Sequence, residues 1–135
     1  MIDRAAVQHW LDAYVQAWLT YDPAAIGALF TDDAEYRWHP WDTDEQVARG
    51  RDAIVAAWLA EPDIAGAYQG QYRPLLVDGK DAVAAGITRY YVDASRQELD
   101  SEFHNLWVLR FTDDGHCSAF TEWFMRTPSA DPDRG

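Results

Sequence analysis

Apolar residues recur at helical spacing near the start of the chain. They follow the i, i+3, i+4 rule at five positions: Val7, Trp10, Leu11, Tyr14 and Trp18. Asp3 stands just before this stripe, where a carboxylate can cap the first turn of a helix. The pattern predicts a helix from Asp3 onward, with one largely aromatic face turned toward the core.

Two shorter helices are predicted to follow. Asp22 can cap the second, Pro23 suits its first position, and the segment AAIGALF supplies one or two turns. The third begins near Arg51 and is ended by Pro62. Its apolar stripe consists of Ile54, Val55, Trp58 and Leu59.

Between the second and third helices, the segment AEYRWHPW favours a strand that stops at Pro40. We predict a short edge strand there, followed by an acidic and flexible loop over residues 41–50. Strand alternation puts His39 on the face that Glu35, Arg37 and Trp41 share, opposite the apolar face of Ala34, Tyr36 and Trp38. Only a bulge before Pro40 would turn His39 inward.

Turn signals then divide the rest of the chain into strands. Asp78-Gly79, the stretch 93–97 and Asp113-Asp114-Gly115 separate four runs, near 68–77, 82–92, 99–111 and 116–126. They predict four antiparallel strands joined by hairpins. Helices followed by strands indicate an α+β domain over residues 1–127, in which three helices cover a curved, mostly antiparallel sheet that encloses a pocket. Residues 128–135 are predicted to be a disordered tail.

Composition narrows the possible partners. The chain has 135 residues, 11 Lys and Arg against 23 Asp and Glu, and a net charge of −12, which disfavours nucleic acid and anionic membranes. We expect neither a membrane span nor an export signal. One cysteine, Cys117, excludes an intrachain disulfide and agrees with a cytoplasmic location. Seven Trp in one small domain predict an aromatic wall around a small hydrophobic ligand.

Alternation along the last two strands yields candidate site residues. Asn105 and Trp107 share the more aromatic face of their strand, where a polar amide could orient a ligand. Glu122 either pairs with Arg110 or Arg89 across the sheet, or points into the cone as the one available acid, with its pKa raised by burial. Four further residues are expected to line the pocket: Trp18, Trp38, Trp58 and Trp123.

The sequence lacks the motifs of metal sites, phosphate-binding loops and serine nucleophiles. The four His, at positions 9, 39, 104 and 116, show no HxxxH or HxH spacing, so no metal centre is expected. A Gly-rich phosphate loop and a GxSxG nucleophile motif are both missing. We therefore expect no cofactor and an inert Cys117 thiol.

The element order, with the segments YDPAAIGALFTDDAEY and WVLRFTDDGHCSAFTEWF, resembles the SnoaL-like branch of the nuclear transport factor 2-like superfamily over residues 3 to 126. The resemblance implies a cystatin-like cone and a homodimer. The superfamily includes ketosteroid isomerases, polyketide cyclases, limonene epoxide hydrolases and dehydratases, so the fold alone does not name a reaction.

Ketosteroid isomerases use a helix-one Tyr, an Asp just before a Pro on the first strand, and a second acid on a late strand. Tyr14 matches the Tyr position. Alignment on the proline places His39 at the Asp position, whereas ungapped counting places Trp38 there, and Trp107 falls where the late acid would be. The resemblance thus suggests Tyr14 and His39 as catalytic residues, and strand alternation adds Glu122 as the alternative to His39.

Two functions follow as expectations. The first is a cofactor-independent isomerase, cyclase or dehydratase that acts on a hydrophobic cyclic or polyketide-like molecule. The second is a non-catalytic binder of an apolar or aromatic ligand. Behind these two stands a third expectation, a dimerisation module of unassigned function, which can coexist with either of them.

Overall fold

The computed structural model describes residues 2–60, 64 and 66–128. Pro62 and residues 129–135 of the predicted tail lie outside this part of the chain. Three helices are present: α1 spans Arg4–Thr20, α2 spans Pro23–Gly27 and α3 spans Arg51–Ala60. No helix in the described residues is long and apolar enough to cross a membrane.

The predicted helix caps are confirmed. The Asp3 carboxylate accepts the N–H of Ala6 at 2.8 Å, and the Asp22 carboxylate accepts the N–H of Ala24 at 3.1 Å. Tyr21 adopts the left-handed conformation that ends α1. Only two residues, Tyr21 and Asp22, therefore separate the end of α1 from the start of α2.

Six strands form one curved sheet in the order β2-β1-β6-β5-β4-β3. Their bounds are Phe30–Arg37 for β1, Ala48–Arg49 for β2, Tyr68–Asp78 for β3, Asp81–Tyr91 for β4, Leu99–Phe111 for β5 and Cys117–Arg126 for β6. The last four pair antiparallel through hairpins, as the turn signals predicted. The α+β cone, with three helices on a mostly antiparallel sheet, is confirmed.

The first strand differs from its prediction. It begins at Phe30 and ends at Arg37, and it is not an edge, because β2 pairs with one side and β6 runs parallel on the other. The loop expected to be flexible contains a 3₁₀ turn, Asp44–Gln46, and all of β2. These contacts join residues distant in sequence, and local propensity does not report them.

The core is largely aromatic and lies between α1 and the sheet. Trp10 packs edge-on against Phe30 and Phe111, and its indole N–H donates to the carbonyl oxygen of Leu29 at 2.9 Å. Trp107 and Phe120 are fully buried on β5 and β6. This packing fixes one end of the cone and leaves the other end open.

A glycine on the inner face makes room for a tyrosine ring. Gly86 on β4 pairs with Tyr72 on β3 and with Asn105 on β5. A Cβ at Gly86 would clash with the Tyr72 ring and with the Gln71 carbonyl oxygen. The missing side chain therefore allows the Tyr72 ring to lie across the sheet.

We predict that Gly86→Ala lowers the free energy of unfolding by about 1–3 kcal/mol, because the added methyl displaces the Tyr72 ring. Urea denaturation measures the loss. Ala85→Ser, on the opposite face of the same strand, is the control and should change stability by less than about 0.5 kcal/mol. Equal stability of Gly86→Ala and the native chain would show that Tyr72 does not depend on this space.

Candidate active site

A cavity of about 300 Å³ opens between α1 and the inner face of the sheet. This volume is at the lower end of the range for small-molecule sites. Fourteen described residues line it: Tyr14, Trp18, Tyr36, Trp38, His39, Tyr68, Tyr72, Thr88, Tyr90, Phe103, Asn105, Trp107, Glu122 and Phe124. Ten of these are Phe, Tyr or Trp, which leaves four polar side chains, and two of those can carry a charge.

Glu122 points inward from β6. It stands directly across from Trp107 on β5, and its Oε2 accepts the Trp107 indole N–H at 2.5 Å and the Asn105 side-chain N–H at 3.1 Å. Burial raises the pKa of Glu122 above its ordinary value of 4.5, and these two hydrogen bonds and the nearby His39 offset part of the rise. The carboxyl group can therefore hold or release a proton closer to neutral pH.

The expected ion pairs of Glu122 with Arg89 or Arg110 are absent among the described residues. Arg89 pairs with Glu102 at 2.7 Å, and Arg110 pairs with Asp81 at 2.9 Å. Both arginines lie on the opposite face of the sheet, because their strand positions alternate with those of Thr88 and Leu109. Of the two expectations for Glu122, the structure supports the inward one.

A chain of hydrogen bonds continues from Glu122 across the inner face. The Thr88 hydroxyl donates to Asn105 Oδ1 at 2.8 Å, the Tyr72 hydroxyl lies 2.5 Å from that of Thr88, and the Tyr68 hydroxyl lies 2.9 Å from that of Tyr72. Each hydroxyl has one hydrogen, and that of Thr88 is used on Asn105, so Tyr72 donates to Thr88 and Tyr68 donates to Tyr72. All donors in the chain are therefore directed toward Glu122.

His39 lies at the mouth of the cavity beside Asp42. Its Nδ1 is 3.2 Å from Asp42 Oδ1, and Asp42 Oδ2 accepts the backbone N–H groups of Trp38 at 3.0 Å and His39 at 3.1 Å. The Asp42 side chain is only 5% exposed. A carboxylate in this place accepts the Nδ1 proton and leaves Nε2 as the unprotonated nitrogen.

The strand alternation predicted for His39 is wrong. Since β1 ends at Arg37, residues beyond it no longer alternate across the sheet, and no bulge is needed to turn the ring. The chain instead reverses through His39-Pro40-Trp41-Asp42, with the Asp42 N–H donating to the His39 carbonyl oxygen at 3.1 Å. Both Trp38 and His39 consequently face the cavity.

Tyr14 and Tyr36 provide a second polar position on the wall. Their hydroxyl oxygens lie 3.3 Å apart. Burial raises the pKa of both phenols well above 10, with further increases from neighbouring tyrosines and from Glu122, so both stay protonated at neutral pH. One hydroxyl donates to the other, and the second hydrogen can be donated to a ligand.

The predicted tryptophan wall is partly correct. Trp18, Trp38 and Trp107 line the cavity. Trp58 is not among the lining residues. It packs edge-on against Tyr14 and Trp18 and so supports the wall from behind. The placement expected for Trp123 is wrong: it is 42% exposed on the outer face of β6, because Phe120 and Glu122 take the inward positions of that strand.

The comparisons with known proteins agree with this architecture. A SnoaL-like domain matches residues 11–129 of the chain. The chain belongs to the SnoaL-like domain family. The comparison with curated proteins found no match.

Solved structures share the fold of this SnoaL-like domain at low identity. An LEH-like epoxide hydrolase from M. tuberculosis has a TM-score of 0.63 and 15% identity, and the match covers 90% of this chain and 84% of that one. SalBIII, an epoxide hydrolase/cyclase-like enzyme of pyran ring formation in salinomycin, has a TM-score of 0.68 and 17% identity. The match covers 93% of this chain and 95% of SalBIII. A nuclear transport factor 2-like protein from Burkholderia xenovorans has a TM-score of 0.66 and 18% identity. The match covers 96% of this chain and 91% of that protein. These TM-scores show a common fold, and at such low sequence identity they show the fold alone.

The sequence patterns did not single out Asp42 or seven residues that line this SnoaL-like site: Tyr36, Tyr68, Tyr72, Thr88, Tyr90, Phe103 and Phe124. Asp42 follows a Pro-containing turn, and an acid after such a turn often accepts nearby backbone N–H groups, so its role had a signal. Tyr72 and Thr88 carry no local signal, because their link to Asn105 depends on the register of β3, β4 and β5.

The described residues contain no group of His, Cys, Asp and Glu that could hold a metal ion. Cys117 is buried beneath the helices, and burial raises the pKa of its thiol to about 12. A thiol with that pKa stays protonated at neutral pH and is a poor nucleophile.

We predict that Glu122→Gln stabilises the folded protein at pH 7. The folded state binds the Glu122 proton more tightly than the unfolded state, so this group stabilises the fold below the unfolded pKa and loses that contribution as pH rises through the folded pKa. Glutamine keeps an oxygen for Asn105 and Trp107 but carries no charge. Thermal denaturation should show a gain of about 1 kcal/mol at pH 7 and almost none near pH 4.

Glu102→Gln is the matched control with the opposite sign. Hydrogen bonds from Arg89 and His104 hold the pKa of Glu102 below its ordinary value, so Glu102 stabilises the fold above the unfolded pKa. This variant should lose stability at pH 7 and approach the native chain in acid. A loss at pH 7 in both variants would contradict the account of Glu122.

Proposed function

We propose that this SnoaL-like domain is an enzyme that moves a proton on a small, hydrophobic, ring-containing substrate, using its own side chains and no cofactor. The observation that carries the proposal is that His39, held by Asp42, and Glu122 face one aromatic cavity. Isomerisation, cyclisation and dehydration can all use such a pair. The fold shared with SalBIII and with the M. tuberculosis LEH-like enzyme supports reactions of this class.

In the proposed reaction His39 is the base. Asp42 accepts the Nδ1 proton, so Nε2 can take a proton from a carbon beside a carbonyl group. The electron pair of the broken C–H bond moves onto the carbonyl oxygen as an enolate. The free hydroxyl hydrogen of the Tyr14–Tyr36 pair can bind that oxygen, since both phenols remain protonated.

Glu122 is the second proton-transfer group in this proposal. Its raised pKa and inward position suit an acid that returns a proton at another carbon or to a leaving oxygen. The late-strand acid of ketosteroid isomerases is replaced here by Trp107, whose indole N–H is used on Glu122. The chain therefore does not repeat the isomerase site residue for residue.

The alternative function is binding without catalysis. It is favoured by the ten aromatic rings, which exceed what two proton-transfer groups need. In that case Asn105 and Glu122 would orient a ligand, and His39 would have no reaction to perform.

We predict that the native protein accelerates hydrogen–deuterium exchange beside the carbonyl of a cyclic ketone such as 2-tetralone, measured by proton NMR in D₂O. His39→Gln should lower the rate by about 100-fold, because it removes the base. Asp42→Asn should lower it by about tenfold or more, because an amide there donates to Nδ1 and favours the wrong tautomer.

His104→Gln is the matched control, since His104 is exposed and hydrogen-bonded to Glu102 on the outer face. It should exchange at the native rate. Ketone binding detected by Trp fluorescence, with no acceleration of exchange, would instead establish the non-catalytic alternative.

We also propose a homodimer formed through the outer face of the sheet. Four large apolar side chains of β5 and β6 are exposed there: Leu106, Val108, Trp123 and Met125, the last 78% exposed. Contiguous apolar surface on a sheet face is typical of an interface between copies. A cytoplasmic location is part of the same proposal and is supported by the single thiol, which is buried and unpaired.

Light scattering at micromolar concentration should report a dimer for the native chain. Val108→Lys combined with Met125→Lys should give a monomer, because two charges on this face would be buried without partners. Leu76→Lys, at an exposed position on β3, is the control and should leave the dimer intact. A monomeric native protein would contradict the proposal.

A further inference from the structure

We infer that the ligand of this cavity is an organic cation, an ammonium ion with alkyl or aryl groups, which lies against the aromatic rings and pairs with Glu122. The inference rests on the proposed function only in using the same cavity as the ligand site. It names the class of ligand that the chemistry of the wall selects.

The first observation is the composition of the wall. None of the described lining residues has a Leu, Ile, Val, Met or Ala side chain. The large aliphatic side chains of the chain lie elsewhere: some are buried in the core, as Leu11, Ile54 and Leu109 are, and others, such as Leu76 and Leu106, are exposed. An apolar ligand binds aliphatic and aromatic walls alike, whereas a cation gains specifically from the negative faces of aromatic rings.

The second observation is charge. Glu122 is the only carboxylate among the described lining residues, and neither Lys nor Arg is among them. Arg89 and Arg110 are paired with acids on the other face of the sheet, and Arg126 lies over the ring of Phe103, 5.9 Å from its centroid. With a net charge of −12 for the whole chain, a cation is attracted from solution and an anion is repelled.

The third observation is the direction of the hydrogen bonds. The hydrogens of Tyr68, Tyr72 and Thr88 are used within the chain that ends at Glu122, and those of Asn105 and Trp107 reach Glu122 Oε2. No described side chain donates to Glu122 Oε1, which remains free to accept. Glu122 Oε1 and His39 Nε2 therefore face the ligand as acceptors, while the donors left on the wall include one hydroxyl of the Tyr14–Tyr36 pair and the unpartnered indole N–H of Trp18. An ammonium ion supplies the positive charge that complements Glu122.

The inference also divides the roles of the two titratable groups. A cation beside Glu122 favours the ionised carboxylate, so Glu122 becomes the counter-ion of the ligand. With such a ligand His39, at the mouth, both takes and returns the proton, and Glu122 acts as the acid only with a neutral substrate. The proposed chemistry at His39 remains possible with a neutral ligand, so the two proposals can fail separately.

The test compares three ligands of similar shape by Trp fluorescence titration: benzyltrimethylammonium, its neutral carbon analogue neopentylbenzene, and benzylsulfonate. We expect the cation to bind about tenfold more tightly than the neutral analogue, and the anion to bind least. Equal affinity for the cation and the neutral analogue, or tighter binding of the anion, would overturn the inference. The ketone exchange assay would still report on His39 in that event.

Two variants identify the groups responsible. Glu122→Gln should weaken binding of the cation by about tenfold and leave the neutral analogue unchanged. Phe124→Leu, which keeps an apolar side chain but removes a lining ring, should also weaken only the cation. Glu102→Gln, on the outer face, is the matched control. Loss of cation binding in the control, or none in Glu122→Gln, would place the cation elsewhere on this acidic protein and contradict the inference.

Discussion

The hydrogen bonds from Asn105 and Trp107 to Glu122 impose a strict requirement on the inner face of the sheet, because a carboxylate among aromatic rings has lost most of its hydration. Fixed donors must replace the water. Asn105 can serve only if its own oxygen is satisfied, and Thr88 does this. The Thr88 hydroxyl in turn accepts the hydrogen of Tyr72, and the Tyr72 ring occupies the space that the absent side chain of Gly86 leaves. The register of three strands is therefore coupled to the protonation of one side chain.

Asp42 positions His39 at the mouth of the cone. A strand that continued past Arg37 would turn His39 away from Glu122, so the chain has to leave the sheet at that point. Asp42 holds the turn by accepting two backbone N–H groups with one oxygen and faces the imidazole with the other. The same carboxylate thus sets both the position and the tautomer of His39. A buried acid used in this way gives up stability for the geometry of a site.

Sequence patterns predicted the elements whose signals are local. The helical stripes through Trp10 and Trp58, the caps at Asp3 and Asp22, and the hairpins of the last four strands depend on neighbouring residues and are present in the structure. Membership of the SnoaL-like family agrees with them. The errors lie where distant segments meet: β1 lies inside the sheet because β2 and β6 pair with it, and Trp123 faces outward because β6 turns Phe120 and Glu122 to the core. Alternation defines two faces of a strand, but packing decides which of them is buried.

The arrangement of the cavity depends most on Glu122 being a buried carboxyl group whose proton is held more tightly than usual. Carboxyl carbon NMR measures this directly, by following the Glu122 side-chain carbon of ¹³C-labelled protein as pH is raised. We expect the midpoint to lie above the ordinary glutamate value of 4.5, since burial outweighs the two hydrogen bonds and the nearby imidazole. A midpoint at or below 4.5 would mean that the carboxylate is well solvated or paired with a cation of the protein, and would contradict the arrangement of the cavity described above.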